Sequence, residues 1–248
     1  MTGPVEKYLL RRIQERGAIH LTLIDPEKVT VELATQVAQM AESCETTAIM
    51  VGGSTVVSSI HLDGVVRAIK GTVKIPVILF PNNVTGISRY ADAILFMSLL
   101  NSADPYFING VQILVAPLIK KLGLETLPLG YVIVGEGGTA GVVGRACPIP
   151  HDKPELAAAH ALAAQYFGMR FVYMEAGSGA KMSVPAEMIR MVRNAVEIPV
   201  IVGGGIRTGE KVQELVKAGA NAIVTGNVTE EGNMELKIKE LINSTRAK

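Results

Sequence analysis

Apolar residues in this chain come in short unbroken runs rather than in alternation with polar ones. Eight such runs, rich in β-branched residues, follow one another: AIHLTLI (18–24), TAIMVGG (47–53), IPVILF (75–80), DAILFMS (92–98), LGYVIV (129–134), RFVYMEA (170–176), IPVIVGG (198–204) and NAIVTGN (221–227). Continuous apolarity over so few positions predicts strands buried on both faces, as in a parallel sheet. Between most of them the period changes to a helical one. VELATQVAQMAESC (31–44), PELAAAHALAAQYFG (154–168), PAEMIRMVRNAV (185–196) and GEKVQELVKAGA (209–220) are examples, and the last carries a glycine stop. NNVTGISRYA (82–91), the third connection, is too short and polar for a good helix. Eight β/α units in 248 residues have the size and order of an α/β TIM (β/α)8 barrel, modified at that irregular third helical connection. A doubly wound open sheet is the alternative, disfavoured because no GxGxxG follows the first strand. Composition does not shift along the chain, so residues 1–248 are expected to form a single domain.

Composition narrows the class. Hydrophobic residues make up 48% and charged residues 19%, which argues against disorder. Mean hydropathy is high at +0.32. Yet the longest apolar runs, such as VQILVAPLI (111–119), are too short for a transmembrane segment. The excess apolar surface is therefore expected in a core, an oligomer interface or an apolar ligand site. Lys plus Arg number 24 against 23 Asp plus Glu, and the basic residues are scattered. That balance predicts no nucleic-acid partner, while leaving room for a local anion pocket. The N-terminal MTGPVEKYLLRRIQERG is charged and amphipathic, without the uninterrupted apolar core of a signal peptide. Cys44 and Cys147 lack metal-ligand spacing and read as buried or inert thiols in a reducing compartment, which makes a cytoplasmic location the expectation.

In a barrel of this kind the chemistry lies at the C-terminal ends of the strands. There the sequence offers Asp25, then Gly52, Gly53, Ser54 and Thr55, then Asn82 and Asn83. Glu175, Gly177, Ser178 and Gly179 follow strand six, Gly203, Gly204 and Gly205 strand seven, and Gly226 and Asn227 strand eight. IVGGGIRTG (201–209) and VTGNVTEEG (224–232) occupy the recurrent phosphate position of this fold. Consecutive glycines let backbone N–H groups approach phosphate oxygens, and an adjoining helix N-terminus adds a favourable dipole. The plainer reading is tight turns, but both loops agree and the fold sets them side by side.

Two acids are more open at this stage. Asp25, followed by Pro26, is either an ordinary strand exit or a carboxylate delivered to the mouth, since proline lacks the N–H a ladder needs. Glu175, in MEAGSGA (174–180), reads as a salt-bridged core residue, a metal ligand or a general base. Tyr173, two residues earlier, shares its face by strand alternation. His20, His61, His151 and His160 show no metal-binding spacing, and His20 reads as core or barrel floor. Lys28 and Lys181 read as solvated surface lysines. No GxSxG, Walker A, CxxC or HExxH motif occurs, so a nucleophilic hydrolase, P-loop enzyme or zinc protease has no support.

HLTLIDPEK (20–28), VGGST (51–55), YMEAGSGA (173–180), VGGGIRTGE (202–210) and VTGNVTEEG (224–232), in this order, resemble the geranylgeranylglyceryl phosphate synthase family, with its archaeal enzymes and bacterial heptaprenylglyceryl phosphate synthase relatives. Glycine-rich phosphate loops alone are shared by many barrels; IDPEK in strand one together with YMEAGSGA in strand six is more specific. The resemblance implies a modified TIM barrel and a prenyltransferase that joins sn-glycerol 1-phosphate to geranylgeranyl diphosphate. Diphosphate leaves, and the product carries the first ether bond of archaeal membrane lipids. Magnesium (Mg2+) is the implied cofactor, with Asp25 and Ser54 as its protein ligands and Thr22 and Lys28 as supporting groups.

Glu175 is implied as the base that takes the proton of the glycerol 3-hydroxyl, with Tyr173 as its hydrogen-bond partner. Tyr173, Met174, Glu175, Ala176, Gly177, Ser178, Gly179, Gly204, Gly205, Gly226 and Asn227 are the implied contacts of the glycerol phosphate. The prenyl tail is expected in an apolar groove bounded by the segments after strands three and four, with Tyr106 and Phe107 as candidate wall residues. A homo-oligomer, dimer or hexamer, and a transient membrane contact for product release complete the expectations. One rival is a phosphate-handling isomerase or lyase barrel, which needs no magnesium site plus long apolar groove. The other is a non-catalytic barrel that binds a phosphometabolite.

Overall fold

The structure is a computed structural model that describes residues 2–55, 58–226 and 234–246. After the helix α1 (Pro4–Arg16), eight parallel strands close a barrel in chain order. They are β1 (Ile19–Ile24), β2 (Ala48–Val51), β3 (Val77–Leu79), β4 (Ala93–Leu99), β5 (Glu125–Ile133), β6 (Phe171–Glu175), β7 (Val200–Gly203) and β8 (Ala222–Thr225). β8 pairs with β1, Thr225 opposite Thr22, which excludes the open sheet. The remaining helices are α2 (Val31–Ser43), α3 (Ser59–Lys70), α4 (Val111–Leu122), α5 (Gly138–Val143), α6 (Pro154–Tyr166), α7 (Ala186–Ala195), α8 (Gly209–Lys217) and α9 (Met234–Ser244).

The unbroken apolar runs are strands with two buried faces. Leu21, Met50, Ile78, Leu95, Leu129, Phe171, Ile201 and Val224 fill the barrel interior. Their neighbours Ile49, Val51, Leu79 and Ile94 face outward onto Val37, Ala38, Leu62 and Val66 of α2 and α3. Val172, Met174, Val200 and Val202 face Ala161, Ile189 and Val212 of α6, α7 and α8. Helix starts are set locally: Thr30 accepts the Leu33 N–H at α2, and Thr208 the Lys211 N–H at α8. Each such cap contributes about 1 kcal/mol.

α1 closes the floor of the barrel. Val5 and Leu9 join the interior cluster, and the Glu125 carboxylate at the start of β5 accepts the Val5 and Glu6 N–H groups at 2.8 and 2.9 Å. Glu6, 1% exposed, pairs with Arg170 Nε at 2.6 Å. The mouth at the opposite end is therefore where ligands enter. β5 begins four residues before the apolar run that marks it in the sequence, because its first residues ETLP serve this floor contact.

The third connection, residues 80–92, contains no helix, as expected. Polar contacts hold it instead: Asn83 Oδ1 accepts from the N–H and hydroxyl of Thr85, and Ser88 Oγ donates to Asp63. The missing helix leaves the outer face of β4 to α4, which enters through a π-turn at Tyr106–Gly110 and carries Pro117 in its interior. α4 contains the apolar run 111–119 but buries only Val115 and Ile119, leaving Ile113 67% and Leu114 63% exposed. No helix among the described residues is long and apolar enough to cross a membrane. Cys44 is buried, whereas Cys147 is exposed rather than buried.

Candidate active site

Strand alternation decides which side chains reach the mouth. On β6, Phe171 and Tyr173 point inward and Val172 and Met174 outward, so Glu175 is delivered to the top of the interior. Its Oε1 accepts the Gly177 N–H at 2.6 Å, and the phenols of Tyr173 and Tyr131 face the same carboxyl and favour its charged form. Glu175 is 5% exposed and lies against no basic side chain in these bonds, so it is not a salt-bridged core residue. Burial raises its pKa above the usual carboxylate range, against the pull of the Gly177 N–H and the two phenols. Burial, with the Glu175 charge beside it, likewise pushes both phenols well above their ordinary value.

Tyr131 was not singled out by sequence reasoning. Its register on β5 puts it directly opposite Tyr173, with ring centroids 5.3 Å apart and planes at 86°. Phe80, at the end of β3, stacks on Tyr173 at 5.5 Å and meets Tyr131 edge-on at 5.7 Å. The three rings form a rigid floor under the carboxylate. Gly203 makes room for it: a Cβ there would collide with the Tyr173 hydroxyl. The signal in the sequence is a tyrosine inside the otherwise aliphatic LGYVIV.

The glycine loops fit together at backbone distance. Gly204 has φ +84°, and a Cβ on it would strike Glu175 Oε1 and lie 2.6 Å from the Gly177 nitrogen. Gly205 has φ +68°, and its Cβ would sit 2.8 Å from the Met182 carbonyl and the Ser183 nitrogen. Such backbone angles are strained for any other residue. Ser178, Gly179, Gly204, Gly205, Arg207 and Gly226 line one side of the cavity above Glu175. Arg207, also absent from the sequence reading, bonds the Gly179 carbonyl at 3.1 Å and brings a positive charge to this side. The side chains of Met174 and Ala176 pack instead in the helix shell, and Gly177 contacts Gly204. Asn227 lies outside the described residues.

Across the mouth, the same cavity is lined by Asp25, Lys28, Gly53, Ser54, Asn82 and Asn83. Asp25 continues the inward positions Leu21 and Leu23 of β1. Its Oδ1 accepts the Glu27 N–H at 3.1 Å, and His61 on α3 bonds the neighbouring Pro26 carbonyl at 2.8 Å. A Cβ on Gly53 would lie 2.5 Å from Asp25 Oδ1, so only glycine leaves this carboxylate clear. Burial raises the Asp25 pKa, while the Glu27 N–H and the Lys28 charge lower it. Thr22 is elsewhere. It faces outward and joins His20 in a buried network with Thr46 and Thr225.

One carboxylate and one hydroxyl are enough for magnesium, a hard cation that keeps several waters and takes phosphate oxygens. The pair Asp25 and Ser54 suits that demand, and a raised carboxyl pKa is what a nearby cation would relieve. No cluster of three or more His, Cys, Asp or Glu suited to a metal occurs among the described residues.

From this mouth the cavity continues sideways between the third connection and α4, where Ile87, Ile94, Phe96, Met97, Phe107, Val111 and Val115 line it. The groove lies where the loose segments after β3 and β4 predict it. Phe107 is part of its wall, whereas Tyr106 packs edge-on against Phe107 at 5.1 Å without lining the cavity.

The comparisons with known proteins agree with this geometry. The PcrB family model matches residues 10–245. The geranylgeranylglyceryl phosphate synthase of Thermofilum pendens is 52% identical over 247 residues, covering 99% of this chain and 96% of that protein. The synthase of Pyrococcus abyssi is 54% identical, covering 92% and 90%. Among solved structures, the (S)-3-O-geranylgeranylglyceryl phosphate synthase of Thermoplasma acidophilum, in complex with its substrate sn-glycerol-1-phosphate, superposes with a TM-score of 0.94 at 41% identity over 99% of both chains. With a matching family model across nearly its whole length and relatives at this identity, the chain belongs to the PcrB family, alongside the geranylgeranylglyceryl phosphate synthases, and is a prenyltransferase.

Proposed function

We propose that this chain joins sn-glycerol 1-phosphate to geranylgeranyl diphosphate with magnesium as cofactor, releasing diphosphate and forming the first ether bond of an archaeal membrane lipid. The observation that carries the reading is one cavity holding three distinct environments: a glycine-lined basin beside Arg207, an acid-and-hydroxyl pair at Asp25 and Ser54, and an apolar groove under α4. A phosphorylated triol, a diphosphate and a prenyl chain are the ligands that need all three. An isomerase or lyase of small sugar phosphates has no use for the groove.

In this reading the phosphate of glycerol 1-phosphate lies against the loops at 177–179, 204–205 and 226–227, with Arg207 adding charge. Met174 and Ala176 contribute through their backbone only. The 3-hydroxyl is then directed at Glu175. Bound magnesium, held by Asp25 and Ser54, supplies charge neutralisation to the departing diphosphate. Lys28 adds to it from the cavity rim. As the carbon–oxygen bond to diphosphate breaks, the electron pair leaves with the diphosphate, and the hydroxyl oxygen bonds to the allylic carbon. Glu175 receives the hydroxyl proton; its raised pKa suits a base that must take and later release one. Tyr131 and Tyr173 hold the carboxylate in place, and the apolar groove keeps water from the allylic centre.

The chain is expected to work in the cytoplasm as a homo-oligomer, the exposed Ile113 and Leu114 being suited to an interface, and to touch a membrane transiently when its lipid product leaves. The deciding experiment is an assay of the purified protein with sn-glycerol 1-phosphate and prenyl diphosphates, with and without EDTA. Ether formation that EDTA abolishes supports the reading. Binding of both substrates without any turnover in magnesium leaves the non-catalytic rival.

A further inference from the structure

The reaction proposed above leaves positive charge on an allylic carbon, and neither acid of the site is suited to sit against it. Asp25 faces the position proposed for magnesium, and Glu175 loses its charge as it takes the hydroxyl proton. A carboxylate or phenol oxygen in contact with the carbon would bond to it and trap the prenyl group. What the carbon needs is a group that attracts a cation without offering a lone pair. The face of an aromatic ring is such a group, and it attracts most strongly where water is excluded.

Phe80 directly follows β3 and touches both halves of the site. On one side its N–H donates to the Val51 carbonyl at 2.9 Å, and a Cβ on Gly52 would run into the Phe80 carbonyl. Those contacts seat it against the loop that carries Gly53 and Ser54. On the other side its ring stacks on Tyr173 at 5.5 Å, beneath Glu175. Asp25, Ser54, Phe80 and Glu175 all line the one cavity. Of the three packed rings, Tyr173 is 1% and Tyr131 6% exposed, whereas Phe80 is only partly buried and keeps ring surface open to that cavity. It is also the one ring of the three without an oxygen. We propose that Phe80 is a catalytic residue whose ring stabilises the allylic cation between loss of diphosphate and attack by the glycerol hydroxyl. The old carbon–oxygen bond breaks with its electron pair leaving on diphosphate, and the hydroxyl oxygen forms the new one. The hydroxyl proton passes to Glu175, and Phe80 neither gains nor loses an atom. This inference rests on the proposed function, and its test separates the two.

In the full chain Phe80 is replaced by Leu and, separately, by mono- and trifluorinated phenylalanine, which keep the shape of the ring while draining charge from its face. Single-turnover ether formation is followed with saturating substrates and magnesium, so that product release does not mask the chemical step. Equilibrium affinity is measured for geranylgeranyl diphosphate, and for a prenyl ammonium salt bound beside magnesium and inorganic diphosphate. The rate should fall stepwise with fluorination, at least tenfold in the trifluorinated form and in Phe80→Leu, equivalent to about 1.4 kcal/mol of barrier. Affinity for the ammonium salt should fall in the same order, while affinity for geranylgeranyl diphosphate holds. A rate indifferent to fluorination overturns the proposal. So does a fall in rate matched by an equal loss of geranylgeranyl diphosphate affinity, which would make the ring a packing surface only. The fluorinated forms decide the matter if Phe80→Leu does not fold. If no form of the protein makes ether product, the proposed function fails, and the ammonium series alone then upholds or overturns the role of Phe80.

Discussion

Glu175 is a carboxyl that the fold buries and that, in the proposed reaction, must be ionised to accept a proton. Its raised pKa sets the sign of two effects. Because the folded value lies above the unfolded one, its contribution to stability is present at low pH and is lost as pH rises through the folded value. The charged form is thus a stability cost at neutral pH. Glu175→Gln should lower turnover roughly 10²–10⁴-fold, while the thermal midpoint at neutral pH holds or rises. A midpoint that falls along with activity would mark Glu175 as a structural group. In the parent, the acid limb of the kcat/KM profile should lie above the usual carboxylate range. Asp25→Asn tests the other acid: turnover at limiting magnesium should collapse while glycerol phosphate binding survives, and an unchanged rate there removes the metal role. Asp25 and Glu175 were legible in the sequence because acids at strand ends are rare among apolar runs. Tyr131 was not, since a phenol within a strand reads as bulk until its register with Tyr173 is known. Thr22 failed for the opposite reason, facing outward where only strand parity could show it.

At the scale of elements, the loops after β6 and β7 act as one body. Gly205 explains why: its backbone angle and its closeness to Met182 and Ser183 leave no space for a side chain. Gly205→Val should therefore raise the KM for glycerol 1-phosphate at least tenfold by displacing the 182–183 segment, with little effect on prenyl diphosphate binding. Gly205→Ala should show a smaller shift in the same direction, and normal glycerol phosphate affinity in a folded Val variant would refute the clamp. In the π-turn before α4, Phe107→Ala should change the preference among prenyl lengths, whereas Tyr106→Ala should not, because of the two only Phe107 lines the groove. The strands were readable from continuous apolarity, and α2, α6, α7 and α8 from their period. α4 was harder to place. Its run 111–119 is apolar nearly all round, so no stripe told which side met β4 and which faced outward.

For the whole molecule, the barrel is closed by polar groups as well as by packing. His20 and Thr22 on β1 bond Thr46 before β2 and Thr225 on β8, the two imidazole bonds measuring 3.0 and 2.9 Å. Burial lowers the His20 pKa from 6.5 to about 3, so the folded protein keeps this ring neutral. Between those two values the unfolded chain binds a proton that the folded one refuses. Stability should fall on acidification through that window, by about 1.4 kcal/mol per pH unit from this group alone. His20→Gln should be less stable than the parent at neutral pH but lose less on acidification. Urea midpoints measured across the window compare the two slopes, and equal slopes would refute the assignment.

His20 and Thr225 stand 205 residues apart. A growing polypeptide has made its first strand long before it can supply the last bond of this imidazole. Contacts of such separation form late, and until they do β1 carries an open edge. One member of the glycine basin stands on the strand that closes that edge, since Gly226 directly follows Thr225. Arrival of β8 thus completes in one event the barrel wall and the rim of the proposed phosphate basin, so a chain interrupted short of it would hold Asp25 and Glu175 beside an unfinished basin.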